Sequence, residues 1–163
     1  MNRSTLTLLA AALAAAGVPS LTAAKVQVLP DETECAGPPS TMRLYVDVPN
    51  VREAAGRITA TLYGDDKKRF LVKNGSLYVA RFVAKRPVTK ICLYIPAPGH
   101  YAVAVYHDAN SNSRMDRKPI GIPEEGFGFS NNSSTLFGPP SFTAARFLVK
   151  GDGGRITIRM KYM

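Results

Sequence analysis

The sequence predicts an all-β domain, a single Greek-key β-sandwich of about seven strands with one long structured loop. Three observations carry this. Apolar residues recur at every second position in run after run, the period of a strand with one buried face. Thirteen Gly and 12 Pro in 163 residues punctuate those runs with turns. No segment shows the 3.6-residue apolar period of a packed helix, and Val51 to Ala55 reads as one helical turn at most.

The first 24 residues read as a signal peptide. Arg3 supplies the positive start, Leu6 to Val18 is an apolar run rich in Ala and Leu, and Pro19 to Ala24 offers small residues for cleavage after Ala24. That run is shorter than the ~20 residues of a membrane span, so none is expected after cleavage. No Cys follows it closely, which argues against a lipid anchor. Removing 24 of the 163 residues leaves 139, and losing Arg3 lowers the net charge from +9 to +8. A chain of that size builds one core without needing a metal. Residues 25–41 form an acidic, Pro-containing lead-in expected to lie over the surface, and the sandwich is expected over residues 42–163.

The strands follow in order. Met42, Leu44, Val46 and Val48 alternate with Arg43, Tyr45 and Asp47; Ile58, Ala60 and Leu62 alternate with Arg57, Thr59, Thr61 and Tyr63. Leu77 to Ala84 and Val88 to Ile95 are two more, separated by Lys85-Arg86-Pro87. Pro96-Ala97-Pro98-Gly99 turns the chain into His100 to His107, with Tyr101, Val103 and Val105 on one face. The last strand sets Ile156, Ile158, Met160 and Tyr162 against Arg155, Thr157, Arg159 and Lys161. Between the last two lies Asp108 to Phe142, long for a connection and too rich in Phe to be disordered.

Export places Cys35 and Cys92 in an oxidising compartment, where a disulfide between them is the expectation. Neither has a His nearby in sequence to lower a thiol's pKa, as a catalytic cysteine requires. Alternation puts Cys92 on the outer face with Lys90 and Tyr94, so the bridge is expected to pin the lead-in across the outside of a sheet.

The long loop carries the chemistry. Asp108, Asn110, Asn112 and Asp116 place oxygen side chains at relative positions 1, 3, 5 and 9, the opening of an EF-hand-type calcium loop, with Met115 at its apolar position. Ser113 stands where Gly makes the sharp turn, Pro119 where the bidentate Glu belongs, and Arg114, Arg117 and Lys118 oppose a cation. Glu124 or Glu125 is left to complete the shell. A weak, millimolar Ca2+ site and an Asx-rich turn capping its own backbone both fit. Further on, Phe127 and Phe129 with Asn131 and Asn132 offer rings and amides to a sugar, a peptide or an apolar small molecule. The same rings equally fit a plug for the open end of the sandwich, with both Asn in turns.

Enzyme constellations are thin, and a non-enzymatic protein is expected. Only two His are present, 100 and 107, seven apart on one strand and so on opposite faces. That excludes a multi-histidine metal site, and two Cys exclude a zinc cluster of thiolates alone. His107-Asp108 with Ser111, Ser113 or Ser130 has the ingredients of a hydrolase, but no Gly-x-Ser-x-Gly elbow positions them. Phosphate-loop and dinucleotide fingerprints are absent. Nucleic acid is not an expected partner of an exported protein. Arg155, Arg159 and Lys161 form a row that suits envelope polysaccharide or a lipid head group, or simply a solvated face.

Pro98 to Asn112, continued by Gly121 to Asn132 and by Phe137-Gly138-Pro139-Pro140-Ser141-Phe142, resembles one bacterial family of exported proteins, the domain-of-unknown-function family 2141. The likeness runs from about Leu44 to Tyr162. It implies an immunoglobulin-like or transthyretin-like sandwich in the cell envelope, periplasmic or extracellular, and brings no catalytic residues. Gly99-His100-Tyr101 followed by Asp108-x-Asn110-x-Asn112 also resembles calcium-stabilised β-repeats of bacterial surface proteins.

Overall fold

The computed structural model describes residues 28–163; the expected signal peptide lies outside them. Ten strands and one short helix follow in chain order: β1 (Val28–Leu29), β2 (Cys35–Ala36), β3 (Met42–Pro49), β4 (Arg57–Tyr63), β5 (Tyr78–Val83), β6 (Val88–Ile95), β7 (Gly99–Asp108), β8 (Phe127–Phe129), α1 (Phe142–Ala145), β9 (Phe147–Val149) and β10 (Gly154–Thr157). A six-stranded sheet runs β1-β5-β4-β7-β8, with β9 also on β7, and a four-stranded sheet runs β10-β3-β6-β2. Both sheets mix parallel and antiparallel pairs. The predicted all-β sandwich is the observed one.

Alternation decides the core. Leu44, Val46 and Val48 of β3 and Ile91, Leu93 and Ile95 of β6 face Ile58, Ala60 and Leu62 of β4, Phe82 of β5, and Val103 and Val105 of β7, all buried. Each fully buried aliphatic or aromatic side chain of this kind contributes roughly 1.5–3 kcal/mol, before the entropy of ordering it is set against that gain.

The lead-in differs from expectation. It adds an edge strand to each sheet, β1 on β5 and β2 on β6, and Leu29 is 4% exposed. Two-residue strands are too short to show a period, so the pattern of the sequence misses them. The Cys35–Cys92 disulfide forms, with Cα atoms 4.4 Å apart. Cys92 sits on the outer face as alternation requires, but the bridge ties Cys35 beside it in register as an edge-strand neighbour and does not cross the sheet.

Two further corrections concern the second half. The loop between β7 and α1 contains β8 and a single 3-10 turn, Ser130–Asn132. β8 and β9 share one edge of β7 end to end, and Ser130 spans the gap between them: its Oγ accepts from Val103 N at 3.0 Å and donates to Ala145 O at 2.5 Å. The last strand is shorter than predicted because the chain changes sheets. β10 pairs with β3; Ile158 N and Met160 N then donate to Asp47 O and Pro49 O, and Lys161 exchanges two hydrogen bonds with Phe127 on the other sheet. Ile158 and Met160 keep their predicted inward face. Val51 to Ala55 makes no helical turn; it carries buried Val51 into a bend.

Candidate functional site

The outer face of the six-stranded sheet is where the long loop returns. With Ile58, Ala60 and Leu62 turned inward, β4 turns Thr59, Thr61 and Tyr63 outward. Register sets Ala104 beside Thr61 and Tyr106 beside Thr59, and β8 adds Phe129 next to Ala104 and Phe127 next to Tyr106. The small Ala104 keeps the middle of this patch low. At one end Phe70 closes it, with ring centroids 5.1 Å from Tyr63, 5.6 Å from Phe142 and 6.5 Å from Phe129. Gly128 points to the inner face, where an added Cβ would lie 2.8 Å from both Arg159 O and Ile158 Cγ2; only Gly lets the C-terminal segment cross there.

Two arms of the loop rise from this floor and enclose a groove of about 670 Å³, mostly apolar. The first arm is a small hairpin: Glu124 N donates to Asp116 O, Lys118 N to Ile122 O and Gly121 N to Lys118 O. It contributes Met115, Arg117, Ile120 and Ile122; the second arm contributes Thr135, Leu136 and Pro139, and Leu71 stands at the side. Arg117 is the one charged side chain in the lining among the described residues. Burial pushes the Tyr106 and Tyr63 phenols up, as it should for hydroxyls on a dry floor.

At the base of the first arm lies the Asx loop. Asn110 Oδ1 accepts from Asn112 N at 3.1 Å and Asn112 Oδ1 from Arg114 N at 2.9 Å, both Asx turns. The two amide groups donate to Asp116 Oδ2, each at 2.7 Å. Asp108 is fully buried; its Oδ2 accepts from Ser113 N and pairs with the Arg57 guanidinium at 3.4 Å, while its Oδ1 has no partner among the described residues. Arg57 also donates to Ser111 O. Glu125, not Glu124, folds back over the loop, accepting from Ala109 N and Asp116 N at 3.1 Å each, and burial is the first cause of its raised pKa. Among the described residues no three His, Cys, Asp or Glu side chains converge as a metal group.

The remaining predicted residues separate. Phe127 and Phe129 line the groove, but Asn131 and Asn132 do not: Asn131 Nδ2 donates to Ala144 O and Arg146 O, and Asn132 ties Thr157 O and Arg159 N. Both hold left-handed backbone, φ 59° and 49°, which Asn tolerates. The hydrolase set does not assemble. His107 faces inward, bonded to Tyr162 OH and Ala55 O, while Asp108 faces out and Ser130 is locked between β8 and β9. His100 sits elsewhere, against Arg146 and Asp65. Within the basic row, Arg155 is held by Asp47 and Glu32. Arg57 and Leu136 went unrecognised in the sequence, where they read as strand and loop.

The family model described as "Uncharacterized protein conserved in bacteria (DUF2141)" matches residues 46–157, from within β3 to the end of β10, and takes in the floor and both arms of the groove. The chain belongs to this family. No curated protein and no solved structure matches the chain. Family 2141 membership thus agrees with the resemblance carried by the β7 strand and the loop that follows it. Among the described residues no helix is long and apolar enough to cross a membrane.

Proposed function

We propose that this member of family 2141 is an exported, non-enzymatic binding module of the bacterial cell envelope whose groove holds a single-chain anionic amphiphile. The groove itself carries the reading: about 670 Å³ lies within the usual range for a small-molecule site, roughly 300–1,000 Å³. Its floor suits a hydrocarbon tail, and Arg117, the one charged side chain that lines it among the described residues, suits an acidic head. The disulfide and the N-terminal apolar run support export.

Residues 25–163 contain every described strand, so that chain serves for calorimetric titration with dodecanoate. Binding is expected for dodecanoate, at least tenfold weaker binding for dodecyltrimethylammonium, and loss of binding in Ala104→Phe with its melting temperature kept. No heat with dodecanoate, or an unaltered Ala104→Phe titration, overturns the groove reading. Export is checked by the N-terminus of protein recovered from its bacterial host: Lys25 is expected, and an intact Met1 in the cytosol contradicts it.

A structural calcium ion in the 108–116 loop is a second reading, favoured by the buried, unpartnered Asp108 Oδ1. Asn110, Asn112 and Asp116 would share the shell, and Arg57 next to Asp108 holds the affinity in the millimolar class. Millimolar calcium then raises the melting temperature, magnesium does not, and Asp108→Ala removes the effect. An unchanged melting temperature sinks this reading and leaves the groove untouched.

A further inference from the structure

The two arms end in turns of unusual composition. Gly121 N donates to Lys118 O, closing Lys118-Pro119-Ile120-Gly121, and Gly138 N donates to Thr135 O, closing Thr135-Leu136-Phe137-Gly138. Central turn positions ordinarily take Gly, Asn, Asp or Pro. Here they hold Ile120, Leu136 and Phe137, which are 78%, 79% and 100% exposed, the three most exposed large apolar side chains among the described residues. Neither turn needs them: a Cβ at the adjoining Gly121 or Gly138 meets nothing within 4 Å, so both tips project freely. Both flank the same groove mouth. Exposed apolar patches of this kind mark contact surfaces.

Charge around the tips is predominantly basic. Arg117 and Lys118 stand on the first arm, and Lys67, Lys68, Arg69 and Lys73 on the Leu71 loop at the groove's side; none joins a salt bridge among the described residues. Asp66 and Glu124 are the exposed acids in these segments outside the paired Asp65 and Asp116. Bulky apolar tips within a basic surround match the interface of an anionic bilayer, where rings and aliphatic chains enter the acyl boundary and Lys and Arg meet head groups. A protein partner would bury such tips against a shaped pocket and would not require the basic surround.

We propose that the Ile120 and Leu136–Phe137 turns dock this protein on an anionic phospholipid surface, with the groove mouth toward the bilayer. Docking does not require the groove to be filled, so it stands or falls apart from the amphiphile reading. The basic site is the first arm with the Leu71 loop and not the Arg155 row, whose leading residue is already paired.

The test is sedimentation of residues 25–163, which exclude the apolar N-terminal run, with vesicles of phosphatidylglycerol and phosphatidylcholine mixed or of phosphatidylcholine alone. Partition into the anionic vesicles at roughly 0.1 M salt is expected to exceed that into phosphatidylcholine by about tenfold or more, and to fall at roughly 0.5 M salt. The double variant Ile120→Ser/Phe137→Ser is expected to lose about tenfold in partition while keeping its melting temperature. Equal partition into both vesicle types overturns the proposal. So does an unaltered double variant, or the absence of protein from the anionic pellet.

Discussion

Replacing Arg57 by Met tests whether the guanidinium is the internal counter-charge of the Asx loop. Arg57 and Asp108 are direct cross-strand neighbours on β4 and β7, with the charged atoms 3.4 Å apart and side chains 16% and 0% exposed. At an effective dielectric of ~20, two unit charges at that distance attract by about 5 kcal/mol. Desolvation offsets part of this, so removing one partner is expected to cost about 3–5 kcal/mol, chiefly because Asp108 is left charged and buried. Urea unfolding of the oxidised protein measures the loss from the shift in midpoint at constant slope. The cycle with Asp108→Asn and the double variant isolates the pair, and the double variant is expected to recover about half of the Arg57→Met loss. A loss below about 1 kcal/mol, or additive single effects, would refute the counter-charge argument.

Further outcomes follow from the same geometry. Gly128→Val forces a side chain against Arg159 O and Ile158, so a cost of about 1–3 kcal/mol is expected in the same unfolding assay, and a stability equal to the parent's denies the close crossing. Cys35→Ser/Cys92→Ser opens a loop of 57 residues' separation, and the chain-entropy relation gives a loss of about 4 kcal/mol, measurable against the oxidised parent. Burial raises the Glu125 carboxyl above its ordinary 4.5, so its contribution to folding is present below that pH and is lost as pH rises through the raised value. Melting temperature is therefore expected to fall less between pH 4 and pH 7 in Glu125→Gln than in the parent, about as far as one shifted carboxyl allows; an identical slope in both removes Glu125 as its source.

Much of the framework is legible in residue order. Strands β3 to β7 are long enough for one buried face to write a period of two, and burial of Leu44, Val46, Ile58, Leu62, Ile91 and Val103 follows that period. The pairing of two cysteines and the outward aim of Cys92 come from the same pattern. β1, β2, β8 and β9 hold two or three residues each, too few for any period, and exist because a neighbouring strand offers an open edge. Phe127 and Phe129 were recognisable as candidates by residue type. Asn131 and Asn132 are the same kind of signal, yet backbone carbonyls and an N–H from distant segments claim their amides.

Residue order by itself determined the all-β class, the inward and outward faces of the long strands and the disulfide partners. Those properties depend on local period and composition, which a single chain displays directly. Only tertiary structure decided that Arg57 meets Asp108, that Glu125 rather than Glu124 returns to the loop, and that arms some twenty positions apart face each other across one groove. Each is a matter of sheet register or of where a long loop packs. Both are settled by the fit of many side chains at once, a quantity that no local stretch of sequence carries.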